Sequence, residues 1–348
     1  MKKALILSLL SITICLLANI LNYQYCSAQN SISPITIKCV GDSITSGLGM
    51  SDAHKTSYGG DTYPSILYTM LKDNGVNAIV ENAGHEGEKT SSIISRSGNI
   101  SLYVTEDLNF NDSGFTGPID DKIAAVYSND LIVPVTYTYT CTDVNPVIID
   151  GQKYTAVGKD IGNNQWKVFL YKNSNNTTQT ITAGKPVLIS NSQNNDITII
   201  FAGSNDKKDI TIDDYVEMLK AGITSDSSKY IILGPYTGIY NRPNFVEGKT
   251  AKERKTLYLQ RMQSEFGNHF IDLENEWFAN AFAIANQNGY LNGLPTEKID
   301  LINSKLNQNI IPAEFTYKNQ EGNPHLNKAG YTVIARLVYE RLKILGYI

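Results

Sequence analysis

Serine-based hydrolysis needs a nucleophilic hydroxyl, a base within reach of it, a group to hold the base in its working tautomer, and fixed donors for the oxyanion. Short stretches of this chain offer candidates for most of these parts. Ser43 lies in Val40-Gly41-Asp42-Ser43-Ile44-Thr45-Ser46-Gly47, and His325 in Asn323-Pro324-His325-Leu326-Asn327. Ser43 is the candidate nucleophile and His325 the candidate base. The donors are the backbone N–H of Ser43, the backbone N–H of Gly87 in Asn82-Ala83-Gly84-His85-Glu86-Gly87, and the side-chain amide of Asn205 in Gly203-Ser204-Asn205-Asp206. A glycine lets its backbone approach a ligand, and an asparagine amide donates without ionising. Asp42 and Asp206 read as braces for the turns that carry Ser43 and Asn205. The plainer reading of Asp42-Ser43 is a helix cap. His54, in the loop after Ser43, reads as an exposed loop residue.

These residues need a scaffold that carries them to one place. Ile35 to Val40 reads as a buried strand that delivers Ser43 to its carboxyl end, where open α/β sheets bind ligands, at the start of a helix. Thr62-Tyr63-Pro64 opens a helix with apolar residues at Ile66, Leu67, Met70 and Leu71, ended by Gly75. Asn77 to Glu81 is the next strand. The α/β rhythm returns with a strand at Ile197–Phe201, a helix over 211–223, and a strand at Tyr230–Leu233. A helix from about Thr250 to Phe266 and a strand at Phe270–Leu273 follow, and a last amphipathic helix runs over 328–345. Between these halves, residues 96–195 read as an inserted all-β module. Alternating runs such as Gln165-Trp166-Lys167-Val168-Phe169-Leu170-Tyr171 are separated by turn residues at Asp150-Gly151 and Gly162-Asn163-Asn164. The alternation places Trp166 in the core of that module.

At this point the chain resembles the SGNH (GDSL-type) hydrolases. Gly41-Asp42-Ser43 with Gly47 is similar to their first block, Asn82 to Gly87 with Thr90 to the second, Gly203-Ser204-Asn205-Asp206 to the third, and His325 before Gly330 to the last. The resemblance covers roughly residues 35–95 and 196–348. It implies a flavodoxin-like three-layer α/β/α sandwich around a central parallel sheet, and ester hydrolysis with no cofactor. The family places an aspartate three residues before the histidine, and here that position is Gly322. Glu321 is the expected orienting group for His325, with a backbone carbonyl or a two-residue dyad as the other possibilities and Asp272 as a further candidate. The second block carries an extra residue before Thr90, which leaves the choice between Gly84 and Gly87 open.

The chain has 348 residues and a formal net charge of -4, so it offers no basic footprint for nucleic acid or anionic lipid. Lys2 and Lys3, the apolar run Ala4–Ile20 and the small residues Cys26-Ser27-Ala28 read as a signal peptide over 1–28, with an uncleaved anchor as the other reading. The expected organisation is therefore a leader, a hydrolase domain over 29–95 plus 196–348, and the 96–195 insert. Beyond the leader the cysteines are Cys39, which reads as a small buried hydrophobe, and Cys141; no Cys/His cluster suggests a metal. Tyrosines number 21 against 10 phenylalanines, a surplus that suits a sugar-facing surface. These features together point to a secreted esterase that removes short acyl groups, acetyl above all, from a small-molecule or polysaccharide ester, with the insert touching a cell-wall or cell-surface glycan. The alternatives are a lipase or lysophospholipase, and a glycan-binding or adhesion protein on a catalytically lapsed hydrolase fold.

Overall fold

Ile37, Cys39 and Val40 of the first strand are almost wholly buried, and every residue of Ile197–Phe201 is buried. Each such aliphatic side chain contributes about 1.5–3 kcal/mol by leaving water, so strands apolar on both faces go to the middle of a sheet. A computed structural model describes residues 33–96, 100–127, 131–135, 144–163, 165–172, 179–189, 195–206, 210–223, 229–236 and 238–348. Within it Thr36–Ile348 form one compact unit; of the separate unit Met1–Ile35, only 33–35 are described. The expected leader and Cys141 lie outside the described residues. Cys39 is a free thiol.

In chain order the elements begin with β1 (Ile35–Gly41), α1 (Ser43–Ser46), α2 (Tyr63–Asp73), β2 (Ala78–Gly84) and α3 (Thr90–Ser95). Among the described residues ten strands follow: β3 (Ser101–Val104), β4 (Leu108–Phe110), β5 (Phe115–Pro118), β6 (Ile123–Val126), β7 (Ile132–Val135), β8 (Val147–Ile149), β9 (Gln152–Asp160), β10 (Trp166–Tyr171), β11 (Gln179–Ile181) and β12 (Pro186–Ile189). The chain then runs through β13 (Ile197–Phe201), α4 (Ile212–Ala221), β14 (Tyr230–Leu233), α5 (Ala251–Phe266) and β15 (Phe270–Ile271). It ends with α6 (Leu273–Gln287), α7 (Thr296–Asn307) and α8 (Lys328–Ile344).

Five strands form a parallel sheet in the order β2-β1-β13-β14-β15. The helices pack in two groups, α2, α6, α7 and α8 in one and α3, α4 and α5 in the other. The ten strands between α3 and β13 are antiparallel: eight make one sheet, ordered β5-β10-β9-β8-β12-β3-β6-β7, and β4 pairs with β11. At the β8–β9 hairpin Asp150 and Gly151 both take the left-handed conformation, as a type I′ turn requires. The core of this β region is continuous with that of the parallel sheet; α3 packs on β7, where Ser91 Oγ donates to the carbonyl of Pro134 at 2.8 Å.

Four details differ from the sequence reading. Trp166 lies at the outer end of β10 and is 47 % exposed, although Val168 and Leu170 on the same alternation are buried; the strand outruns the cover. The strand expected at Phe270–Leu273 stops at Ile271, because Asp272 caps a helix by accepting from the N–H of Asn275. That helix, α6, and α7 after it have no counterpart in the sequence reading, although Trp277, Ala281, Ile284 and Ala285 follow the helical period. The helix after Asp42 is a single turn, so it brings N–H donors to Ser43 but only a small dipole.

Candidate active site

Ser43, Gly87 and Asn205 follow the carboxyl ends of β1, β2 and β13, which are neighbours in the sheet. Three chemistry-bearing loops therefore meet at one edge. His325 comes from the loop ahead of α8. Its Nε2 stands 3.0 Å from the hydroxyl oxygen of Ser43, across 282 residues of sequence.

The turn at Ser43 is set by its neighbour. Asp42 is the N-cap, extended in backbone, and its Oδ1 accepts from the N–H of Ile44 at 2.9 Å. The Ser43 hydroxyl is left for the histidine. Among the described residues the backbone N–H groups of Ser43 and Gly87 have no protein acceptor. Gly84 differs from Gly87 in both respects: its N–H donates to Asn82 Oδ1 at 3.1 Å, and a Cβ there would stand 2.1 Å from the backbone nitrogen of Ser46. Gly84 is where β2 packs on the Ser43 turn. Gly87 is exposed, has φ +76° and has open space where a side chain would stand.

The Asn205 amide is already engaged. Its Nδ2 donates to Asp42 Oδ2 at 3.2 Å and to the carbonyl of Glu88 at 3.1 Å, so its two protons tie the third loop to the first and second. Asp206 braces the second loop as well as its own: Oδ1 accepts from the N–H of Thr90 at 2.8 Å and Oδ2 from the Thr90 hydroxyl at 2.6 Å. Burial pushes the carboxyls of both Asp42 and Asp206 up, that of Asp42 to about 7, against the hydrogen bonds they accept.

The histidine loop is held through its backbone. The N–H of His325 donates to Asn323 Oδ1 at 3.0 Å, its carbonyl accepts from the N–H of Tyr317 at 2.8 Å, and the Tyr236 hydroxyl donates to the carbonyl of Pro324. Burial lowers the imidazole below its ordinary value, with the charge of Glu86 opposing. The carboxylate expected to orient it is elsewhere: Glu321 is exposed and paired with Lys305 of α7. Asp272 is occupied as the cap of α6. Among the described residues nothing accepts from Nδ1 of His325. Gly322, at the family's aspartate position, takes φ +71° in the turn between these residues.

Several residues around the site were not singled out from sequence. Arg96, fully buried, donates to Glu88 through Nε (3.0 Å) and Nη2 (2.5 Å) and to the carbonyl of Ala83 through Nη1 (2.8 Å), which fastens the second loop beneath Gly87. Arg242 Nη2 donates to the carbonyls of Gly203 and Ser204, each at 3.0 Å. Tyr236 follows the end of β14, so a fourth strand end contributes. Its position just past a strand and Gly234-Pro235 was the available signal. His54 is exposed in its loop, as expected, and also contacts both Gly84 and Glu86. Among the described residues no three His, Cys, Asp or Glu side chains converge as a metal cage, and no helix is long and apolar enough to cross a membrane.

No family model and no curated relative matches the chain. Among solved structures it is similar to a mutant of an acetyl-xylooligosaccharide esterase from Geobacillus Stearmophilus, at 13% identity and a TM-score of 0.39 over 89% of this chain and 94% of that one. It is also similar to a mutant of the esterase AlinE4 (14% identity, TM-score 0.30, 80% of this chain and 95% of that one). A third is a peptidoglycan O-acetylesterase (13% identity, TM-score 0.31, 91% of this chain and 93% of that one). Likeness this loose leaves the roles of the residues to the geometry.

Proposed function

We propose that the chain is a serine esterase of the SGNH type on a flavodoxin-like three-layer sandwich, exported by its leader and acting on short-chain, mainly acetyl, esters of a carbohydrate. The observation that carries this reading is the 3.0 Å approach of His325 Nε2 to the Ser43 hydroxyl, at the sheet edge where β1, β2 and β13 end. A serine hydroxyl is a weak nucleophile until a base takes its proton, and an imidazole held below its ordinary value is in its basic form at neutral pH.

In the first half-reaction His325 takes the hydroxyl proton as Ser43 Oγ bonds to the ester carbonyl carbon. The carbonyl oxygen becomes an oxyanion facing the N–H groups of Ser43 and Gly87. Asn205 joins them by exchanging its bond to the Glu88 carbonyl for one to the substrate. The C–O bond to the alcohol breaks, and His325 Nε2 gives its proton to the leaving oxygen. Water then repeats the sequence on the acyl-enzyme. Each well-placed oxyanion donor is worth about 3–4 kcal/mol.

The test is turnover of p-nitrophenyl acetate and acetate release from a panel of acetylated polysaccharides. Ser43→Ala and His325→Ala are expected to lose at least ~100-fold in kcat, while Glu321→Ala stays within about twofold of the parent, since exposed ion pairs contribute ~1 kcal/mol or less. Activity that survives Ser43→Ala ends the proposal. Rising activity from acetyl to longer acyl esters would move it to the lipase class. A fully inactive parent that retains polysaccharide would make it a binding protein.

A further inference from the structure

When Ser43 gives up its proton, His325 becomes an imidazolium. A triad carboxylate on Nδ1 would offset that charge. Here Nδ1 has no partner among the described residues, and the two candidate carboxylates, Glu321 and Asp272, are bound elsewhere.

A different carboxylate is held beside the nucleophile. Glu86 Oε1 lies 2.9 Å from His54 Nε2 and accepts from the hydroxyl of Ser46 at 2.9 Å. Ser46 sits on the same turn as Ser43, and its hydroxyl is shared between Glu86 and the Ser43 carbonyl, 3.1 Å away. The other nitrogen of His54 is 3.1 Å from the carbonyl of Gly84. Both ring nitrogens of His54 thus face oxygen acceptors, and a neutral imidazole, with one N–H, satisfies only one of them. A doubly protonated His54 would satisfy both, opposite an ionised Glu86. Burial works against ionisation of Glu86, but its bonds to His54, its own backbone and Ser46 hold the carboxyl below the usual range.

Glu86 is the one whose charge registers at His325. The ring of His85 lies 5.8 Å from that of His54, and Asp42, Asp52 and Glu86 all act on the buried hydroxyl of Tyr331.

We propose that Glu86, clamped by His54 and Ser46, is a positioning residue that supplies to His325 from beside the nucleophile turn the negative charge a triad carboxylate supplies at Nδ1. The proposal rests on reading Ser43 and His325 as the catalytic pair. His54 tempers that charge: its cation neutralises part of Glu86. Removing Glu86 and removing His54 are therefore expected to move His325 in opposite directions, which removing a purely structural brace would not do.

The experiment is the pH dependence of kcat/KM for p-nitrophenyl acetate in the full chain, with Ser43→Ala in the same assay and folding followed by thermal unfolding. Removing the anion makes the imidazolium costlier, so Glu86→Gln is expected to move the acid limb down by up to about one pH unit and to lower kcat by about tenfold. Glu86→Asp, which keeps the charge, returns the limb toward the parent. His54→Gln unmasks the anion and moves the limb up. It supplies the reading if Glu86→Gln does not fold. An acid limb unmoved in Glu86→Gln, or moved the same way in Glu86→Gln and His54→Gln, overturns the role of Glu86 and leaves the Ser43–His325 pair intact. Full turnover in Ser43→Ala instead ends the underlying reading.

Discussion

Ser43 keeps its hydroxyl for His325 because Asp42 does the capping. The cost falls on Asp42, a carboxylate taken wholly out of water, with Asp206 and Glu88 close enough to raise it further. Its folded-state value, about 7, lies above its ordinary 3.8. The stability it contributes is complete below the lower value and is lost as pH rises through that window. Asp42→Asn keeps an oxygen for the Ile44 N–H and removes the ionisation. The difference in unfolding midpoint between variant and parent is therefore expected to shift in favour of the variant across that window and to level off above it. Thermal unfolding measured across pH checks this; a constant difference would mean that Asp42 ionises as in water. The loss of Glu321 from the site is also a residue-scale matter. Its neighbour Lys305 reaches it first, and sequence distance from His325 carried no information about that.

At the scale of elements, the site depends on how closely β2 lies against the single turn α1. Gly84 and Gly87 stand three residues apart and serve different needs. A methyl group at Gly84 would meet the backbone of Ser46 at 2.1 Å, with no flexible side chain to yield. Gly84→Ala is expected to cost about 3 kcal/mol, the upper end for overpacking, or to displace Ser43. Gly87→Ala meets open space and bears only the strain of the left-handed backbone, about 1–2 kcal/mol. Denaturant unfolding ranks the two, and kcat for p-nitrophenyl acetate should fall far more in Gly84→Ala. Equal effects would refute the assignment of Gly84 to packing. The strands and their order of appearance were readable because apolar runs of four or five residues have few other uses. Helix α6 was not, because Asp272 closes a strand and opens a helix in one residue, and the short run Phe270–Leu273 suits either.

On the scale of the whole molecule, the β region between α3 and β13 shares its core with the parallel-sheet part. Ala124 and Ala125 of β6 are buried, and β7 packs on α3, whose first residue is tied to Asp206. Removal of residues 100–189 with a short linker would leave α3 without β7, the strand it packs on, and Ser91 without its acceptor. The truncated chain is expected to be insoluble or to unfold at a much lower temperature. Expression and thermal unfolding of that deletion test it, and a stable, active product would show that the region is an appendage. The sequence by itself determined the serine turn, the Asn205 loop, the histidine ahead of the last helix, the parallel strands and the antiparallel character of the described strands between α3 and β13. Those features are local, set by hydrophobic period, turn residues and short motifs. Only the tertiary structure decided that Glu321 goes to Lys305, that Asn205 is already bonded to Asp42 and Glu88, that Trp166 faces solvent, and that Glu86 and His54 stand beside the nucleophile. Each of those is a competition among partners brought together by folding, and no spacing along the chain records which partner is nearer.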